Sequence, residues 1–316
     1  MREQRKFIKK GIIFGFCTII IIFSFFWISA QTGYNMYIAE ITDSEIWGSL
    51  NNGLDIIEKI EKSREYNDYN CLILGDSVCN QIYGSLQEKN ADYLILASNR
   101  ALTMAGQFIL VQNFIETHPE VKEIDLIIIP ESLTATFDTV YGYQYTAIPF
   151  VLTEEISELN TETIGLMNET YGSFFMQPYI VQTISNSPML RKVYINTLYR
   201  LNPIESSGTG LSQISVEYLR QIDELCSEND IDFNIISGPI ADTSEHRIML
   251  ENLEEEIRRE GLEELFSDYF CNIIFFPEEY FVDGIHFCDE YDNSEFYNEV
   301  IHLLRQNTGC MELLKL

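Results

Sequence analysis

The stretch that decides the fold lies at residues 69–79 and reads YNCLILGDSVC. Residues 71–74 form a short apolar run that suits a strand buried on both faces. Gly75-Asp76-Ser77 follows at once, and helical character begins at Val78. A buried strand that turns through a glycine into a helix is the opening unit of an α/β domain, so we predict a parallel sheet.

The same alternation recurs along the chain. Further apolar runs predict strands at 93–97, 124–129, 233–236 and 273–276, and amphipathic stretches predict helices at 78–86, 104–116, 214–228, 245–260 and 294–305. Residues 69–316 are therefore predicted to form a three-layer α/β/α domain with a doubly wound parallel sheet. Residues 131–210 interrupt the alternation with many aromatic residues, and they predict a largely helical insertion or cap.

The N-terminal segment differs from the rest of the chain in composition. Residues 11–30 contain no charged side chain and follow a basic cluster. Twenty residues at 1.5 Å each span about 30 Å of hydrocarbon, so we predict one transmembrane helix, with residues 1–10 as its cytoplasmic stub. The remainder would then be extracytoplasmic on a single-pass cell-membrane protein. A cleaved signal peptide ending at Ile28-Ser29-Ala30 is the alternative, and residues 31–68 predict a stalk or a packing helix.

Composition restricts the function classes. The chain has 316 residues, 49 acidic and 20 basic, and a net charge of -29. Such an acidic protein repels phosphate backbones, so we expect no nucleic-acid partner. No P-loop, dinucleotide fingerprint or zinc spacing is present in the sequence, so no metal and no cofactor is predicted. Of seven cysteines, Cys271 and Cys288 form the candidate disulfide, with free thiols as the alternative.

Two motifs at predicted strand ends can carry chemistry. Ser77 follows the first strand and opens a helix, where backbone N–H groups can hold an oxyanion; the alternative is an ordinary helix-capping turn. Asp283 and His286 follow the last predicted strand, and the aspartate could orient an imidazole toward Ser77. A capped loop with a surface histidine is the alternative. His246 opens a charged helix and is expected to be solvated. Glu131, at the end of the third strand, could reach the site, and a solvated loop residue is the alternative.

The blocks LILGDSV at 72–78 and FVDGIHF at 281–287, with the alternation between them, resemble the SGNH (GDSL-type) hydrolase family. The resemblance covers about residues 69–307 without the insertion. It implies a Ser77 nucleophile, a His286 general base and an Asp283 partner. The family's oxyanion blocks after the second and third strands are not intact here. Candidate oxyanion donors are the Ser77 N–H and Asn99.

A membrane-anchored branch of that family acts in surface-polysaccharide O-acetylation and teichoic acid D-alanylation. The resemblance implies an acyl esterase or acyltransferase that acts on a cell-surface glycan or acyl ester, together with a multipass membrane acyltransferase as partner. The acidic chain makes a polyanionic teichoic acid the less favourable substrate. The alternatives are a non-catalytic binding or assembly protein of the same fold, and a secreted lipase or esterase.

Overall fold

The computed structural model describes residues 2–29, 52–84, 93–98, 103–137, 142–187, 190–191, 193–194, 197–198, 210–291 and 293–307. The predicted oxyanion donor Asn99 lies outside these residues, as do the segments 30–51 and 199–209.

A parallel sheet of four strands lies at the centre of the fold, in the order β2-β1-β3-β4. The strands are β1 (Cys71–Gly75), β2 (Tyr93–Ile95), β3 (Glu123–Ile128) and β4 (Asp232–Ser237). The chain adds β2 on one side of β1 and then β3 and β4 on the other, so the strand order reverses between β1 and β3. The predicted α/β class with a parallel sheet is thereby confirmed.

The last predicted strand does not extend this sheet. A short β6 (Phe275–Phe276) pairs in parallel with β5 (Ile240–Ala241), a strand that the sequence did not predict. The two form a separate two-stranded ladder, in which β5 follows β4 in the chain and β6 follows the helix Ser267–Cys271.

Helices make up most of the rest of the described chain. In chain order they are α1 (Arg2–Ser29), α2 (Asn52–Ser63), α3 (Ser77–Tyr83), α4 (Met104–Thr117), α5 (Pro130–Leu133), α6 (Ile148–Leu152), α7 (Thr161–Tyr171), α8 (Pro178–Ser185), α9 (Gln213–Glu228), α10 (Ser244–Glu260), α11 (Ser267–Cys271) and α12 (Ser294–Asn307). A π-helical turn (Tyr143–Ala147) precedes α6, and 3₁₀ turns lie at Glu155–Glu158 and Glu278–Tyr280.

Helices pack on both faces of the sheet because successive strand residues point to opposite sides. Leu72 and Leu74 enter one core, with Phe114 of α4 and Ile56 of α2. Ile73 enters a second core, formed with α3 and α12. Burying one such side chain contributes about 1.5–3 kcal/mol, so the apolar runs that predicted the strands also hold the layers together.

Aromatic side chains of the insertion are mostly core residues. Tyr143, Phe150 and Tyr171 are fully buried in the first core, whereas Phe174 and Tyr179 remain exposed. The described residues of the insertion form helices and turns. Its aromatic composition is therefore explained largely by packing.

The described side chains of α1, from Lys9 to Ser24, are almost all exposed. Among the residues that the structure describes, no helix has both the length and the apolar character that crossing a bilayer requires. The predicted membrane-spanning helix is therefore not supported. The proposed disulfide is not formed either, because Cys271 and Cys288 are both free thiols.

Candidate active site

The candidate site lies at the carboxyl edge of the parallel strands. Ser77 directly follows β1 as the first residue of α3. Glu131 follows β3, His246 lies in the first turn of α10 after β5, and the 283–286 turn follows β6. Ligands of open parallel sheets bind at this edge, where the strand order reverses.

Gly75 sets the position of the serine because β1 and β3 approach closely at their ends. Gly75 is the register partner of Ile127, and a Cβ on Gly75 would lie 2.0 Å from the Ile127 carbonyl oxygen. Glycine is thus required here by space, and the chain can turn immediately from the strand into α3.

Asp76 fixes that turn to the neighbouring strand. One carboxylate oxygen accepts hydrogen bonds from the N–H groups of Val78 (2.9 Å) and Cys79 (3.3 Å), which caps α3. The other accepts from Ile129 N–H at 2.8 Å and from the Ser132 hydroxyl at 2.6 Å. Burial raises the pKa of Asp76, although these four hydrogen bonds act in the opposite direction. Asp76 therefore holds the start of α3 against the end of β3.

The structure brings the three predicted site residues together. Ser77 Oγ lies 2.7 Å from His286 Nε2, and His286 Nδ1 lies 2.8 Å from Asp283 Oδ2. A carboxylate can only accept a hydrogen bond at neutral pH, so Nδ1 carries the proton of a neutral ring. Nε2 is then the acceptor for the Ser77 hydroxyl, which is the arrangement of a serine with an oriented general base.

The Asp283 turn builds this geometry locally. Asp283 Oδ1 accepts from the N–H groups of Ile285 (3.0 Å) and His286 (2.8 Å), while Oδ2 faces the ring of His286. Gly284 has a φ of +81°, a conformation that favours glycine. Burial raises the pKa of Asp283, but the hydrogen bonds from His286 and Ile285 outweigh it, so the pKa is lowered and the carboxylate stays charged.

Gln81, which was not among the predicted site residues, connects the helix of Ser77 to the loop of His286. Its side-chain amide donates to Phe287 O at 3.0 Å and accepts from Phe287 N–H at 3.1 Å. Gln81 lies four residues after Ser77, so both side chains lie on one face of α3. The loop next to His286 is thereby tied to the helix that carries the serine.

The structure corrects the expectation that His246 is solvated, and it places Glu131 against the ring of His246. His246 Nε2 lies 3.2 Å from Glu131 Oε1, and both side chains are largely buried. The ring is also fixed on its other side, where Nδ1 lies 2.9 Å from Ala241 O and 3.0 Å from Thr243 Oγ1. Glu131 comes from the end of β3 and His246 from α10, so no local spacing in the sequence links them.

The backbone N–H groups of Ser77 and Ser98 lie near the nucleophile, and only the first is a candidate oxyanion donor. The Ser77 N–H lies at the start of α3, where helical N–H groups lack partners within the helix. The N–H of Ser98 donates to Gly75 O at 3.3 Å and is already used. Among the described residues, no group of three or more His, Cys, Asp or Glu side chains is arranged to hold a metal ion.

No protein-family model matches the chain, and no curated protein matches it either. A search of solved structures finds one described as "a putative platelet activating factor from Streptococcus pneumonia". The two are 14% identical, over 81% of this chain and 94% of that chain, with a TM-score of 0.34. A similarity at this level identifies neither the fold nor the activity of the present chain.

Proposed function

We propose that this protein is an SGNH-type serine enzyme that cleaves or transfers an acyl ester. The observation that carries the proposal is the continuous chain of hydrogen bonds from Ser77 Oγ through the His286 ring to Asp283. A serine hydroxyl is a weak nucleophile unless a base takes its proton, and His286 Nε2 is placed to do so. The 2.7 Å contact also favours an enzyme over a binding protein that only retains the fold.

The reaction follows from these contacts. Ser77 Oγ attacks the carbonyl carbon of the ester while its proton passes to His286 Nε2, and Asp283 stabilises the imidazolium through Nδ1–H. The imidazolium then gives that proton to the leaving alkoxide oxygen as the ester C–O bond breaks. Water or a hydroxyl acceptor attacks the acyl-serine and loses its proton to Nε2. The bond between the acyl carbon and Ser77 Oγ then breaks while Oγ takes the proton back from Nε2, which regenerates the serine and the neutral imidazole.

The developing oxyanion requires at least one hydrogen-bond donor. The Ser77 N–H is the proposed first donor because it lies at the helix start next to the nucleophile. Asn99 is the proposed second donor, as the sequence predicts. Loss of one such donor typically lowers kcat about 10²–10³-fold, so Asn99→Ala measures this part of the proposal.

The acyl acceptor proposed from the sequence is a cell-surface glycan, outside the cytoplasm, with a multipass membrane acyltransferase as partner. The chain has an excess of 29 negative charges, which favours neutral sugars over polyanionic polymers. The esterase and the transferase share every residue described above. They differ in whether water or a sugar hydroxyl resolves the acyl-serine.

Labelling with a serine-directed fluorophosphonate tests the nucleophile without knowledge of the substrate. The full chain is treated with the probe, and intact mass counts the adducts. We expect one adduct on the wild type, none on Ser77→Ala, and labelling slowed about 10²–10⁴-fold in His286→Ala through loss of the general base. His302→Ala is the matched control, because His302 is exposed on α12, and it should label at the wild-type rate.

An adduct that persists in Ser77→Ala would refute the assignment of the nucleophile. A folded wild type that takes no label would refute the proposed enzyme. Transfer is measured separately with p-nitrophenyl acetate as donor and a neutral oligosaccharide as acceptor. Acetylated sugar indicates a transferase, and free acetate alone indicates an esterase.

A further inference from the structure

We infer that Glu131 and His246 form a proton-sharing pair that positions the loop bearing Asp283 and His286. The inference rests on the proposed function and adds two positioning residues to it. The pair lies at the same edge of the sheet as Ser77, but it is built from α5, which follows β3, and from α10 instead of from the two sequence motifs. Its geometry supplies two separate arguments.

The hydrogen-bond partners of His246 determine where its ring carries protons. Ala241 O is a carbonyl oxygen and can only accept, so the contact of 2.9 Å places a proton on His246 Nδ1. In a neutral ring Nε2 would then be a bare acceptor facing a carboxylate oxygen at 3.2 Å. Two acceptors repel at that distance. One proton must therefore lie between them, carried either by Nε2 as part of an imidazolium or by Glu131 as a carboxylic acid.

His246 also lies next to the catalytic turn, which is the 283–286 turn that carries Asp283 and His286. A Cβ built on Gly284 would lie 3.3 Å from His246 Cε1, so the ring lies next to Gly284 in the 283–286 turn. That turn has two exposed side chains and a backbone at positive φ, so it depends on neighbours for its position. His246 supports it from the protein side, and Gln81 supports its C-terminal end through Phe287.

Other charged groups set the electrostatic surroundings of the pair. Those on the elements packed around it are Asp76 after β1, Tyr269 of α11, and Asp283 and His286 of the catalytic turn. Burial and, to a lesser extent, the negative charge of Asp76 raise the pKa of Glu131, although its contact with His246 acts in the opposite direction. On α10 itself, Arg247 is paired with Asp242 at 2.7 Å. Burial thus acts in the same direction as the contact geometry, toward a proton held within the pair.

Nitrogen NMR on the full chain, with ¹⁵N-labelled histidine, tests the shared proton directly. Only four histidines are present, and His246→Gln identifies the signal to follow. We expect a protonated Nδ1 in His246 of the wild type. The Nε2 signal should differ between the wild type, where a proton lies between Nε2 and Glu131, and Glu131→Gln, where Nε2 accepts from the amide NH₂. An unprotonated Nδ1, or an identical Nε2 signal in Glu131→Gln, would overturn the inference.

The pH dependence of fluorophosphonate labelling tests the positioning role. Loss of the shared proton at alkaline pH should leave two facing acceptors, release the turn and slow labelling. In Glu131→Gln the amide NH₂ donates to Nε2 at any pH, so the slowing should be about 2- to 30-fold smaller, as for coupling through a supporting contact. Glu254→Gln is the matched control, because Glu254 is an exposed partner of Arg258 on the same helix as His246.

The two proposals can fail separately. A labelled wild type whose alkaline profile is unchanged in Glu131→Gln overturns this inference alone. A folded wild type that takes no label overturns the proposed enzyme and the positioning role with it. His246→Ala offers an independent check, because it should also slow labelling at pH 7, whereas a purely structural contact far from the turn would not.

Discussion

Two histidine–carboxylate pairs lie at the same edge of the sheet, and they differ in almost every property. Asp283 and His286 are three residues apart, with side chains 51% and 40% exposed. Glu131 and His246 come from distant parts of the chain, with side chains 26% and 12% exposed. The exposed pair contacts the serine, and the buried pair contacts the turn that carries the first.

The difference shows that the local sequence determines one part of a site, whereas the tertiary fold determines the other. An Asp-Gly-x-His turn contains its own geometry, since the aspartate caps the turn and faces the ring within one segment. The buried pair exists only after β3, β5 and α10 have packed. The local pair is free to meet a substrate, and the long-range pair is fixed by its surroundings.

The largest expected effect separates the two histidines by role. We expect His286→Ala to slow fluorophosphonate labelling about 10²–10⁴-fold because the base is lost. We expect His246→Ala to slow it about 2- to 30-fold because only support of the turn is lost. Equal losses in both variants, with folding verified by circular dichroism, would show that the two pairs do not have separate roles.

The next effect concerns Asp76, which links the strand ends behind both pairs. Asp76→Asn keeps one oxygen for the α3 cap but places an NH₂ where Ile129 N–H and the Ser132 hydroxyl now donate. Unsatisfied buried donors cost about 1–3 kcal/mol each, so we expect the free energy of unfolding to fall by about 2–4 kcal/mol. Urea titrations followed by circular dichroism measure it.

Ser132→Ala is the control for that prediction, since it removes one donor and leaves the other three hydrogen bonds to Asp76 intact. Its cost should be nearer about 1 kcal/mol. A Ser132→Ala variant as unstable as Asp76→Asn would mean that the hydroxyl alone fixes the strand ends.

Much of the fold could be predicted from the sequence because its strands are continuously apolar. The runs at 71–74, 93–97, 124–129 and 233–236 each overlap a strand of the central sheet, and the end of 273–276 forms β6. The two-residue strand β5 is too short to produce a periodic pattern, and its pairing with β6 depends on the tertiary fold. Helix ends were also close, as α4 begins at the predicted Met104.

The candidate site was predictable only where its residues are neighbours in sequence or open an element. Ser77 and the 283–286 turn fall in this group, and the structure places them in contact. Gln81 could have been found from its position one turn after Ser77 on α3. The pairing of Glu131 with His246 could not have been found, because the burial of both side chains and the contact of His246 with the Ala241 carbonyl depend on the tertiary fold.

Gly284→Ala gives a smaller effect that sharpens the comparison at the point where the pairs meet. A φ of +81° is strained for alanine, and its Cβ would press on the His246 ring at 3.3 Å. We expect the free energy of unfolding to fall by about 1–2 kcal/mol, mostly from the backbone conformation. The double variant Gly284→Ala/His246→Ala lacks the steric contact. Its loss of unfolding free energy should therefore be smaller than the sum of the losses in the two single variants. Simple additivity would show that the ring does not press on the turn.

The smallest effect is the opposite pH dependence of stability that the two carboxyl groups should give. The pKa of Asp283 is lowered in the folded protein, so its stabilisation is present above the unfolded pKa and is lost as pH falls through the folded value. The pKa of Glu131 is raised, so its contribution is present below the unfolded pKa and is lost as pH rises through the folded value.

Unfolding free energies across this range should therefore change in opposite senses in the two variants. Relative to wild type, Asp283→Asn should lose stability as pH rises from 3 to 6, by less than about 1 kcal/mol because the Asp283–His286 pair is exposed to solvent. Glu131→Gln should gain relative stability as pH rises, because the wild type then bears the cost of a buried carboxylate. The same sign in both variants would mean that the 3.2 Å contact to His246 holds Glu131 ionised as firmly as the turn holds Asp283, and the proton would then reside on the imidazole.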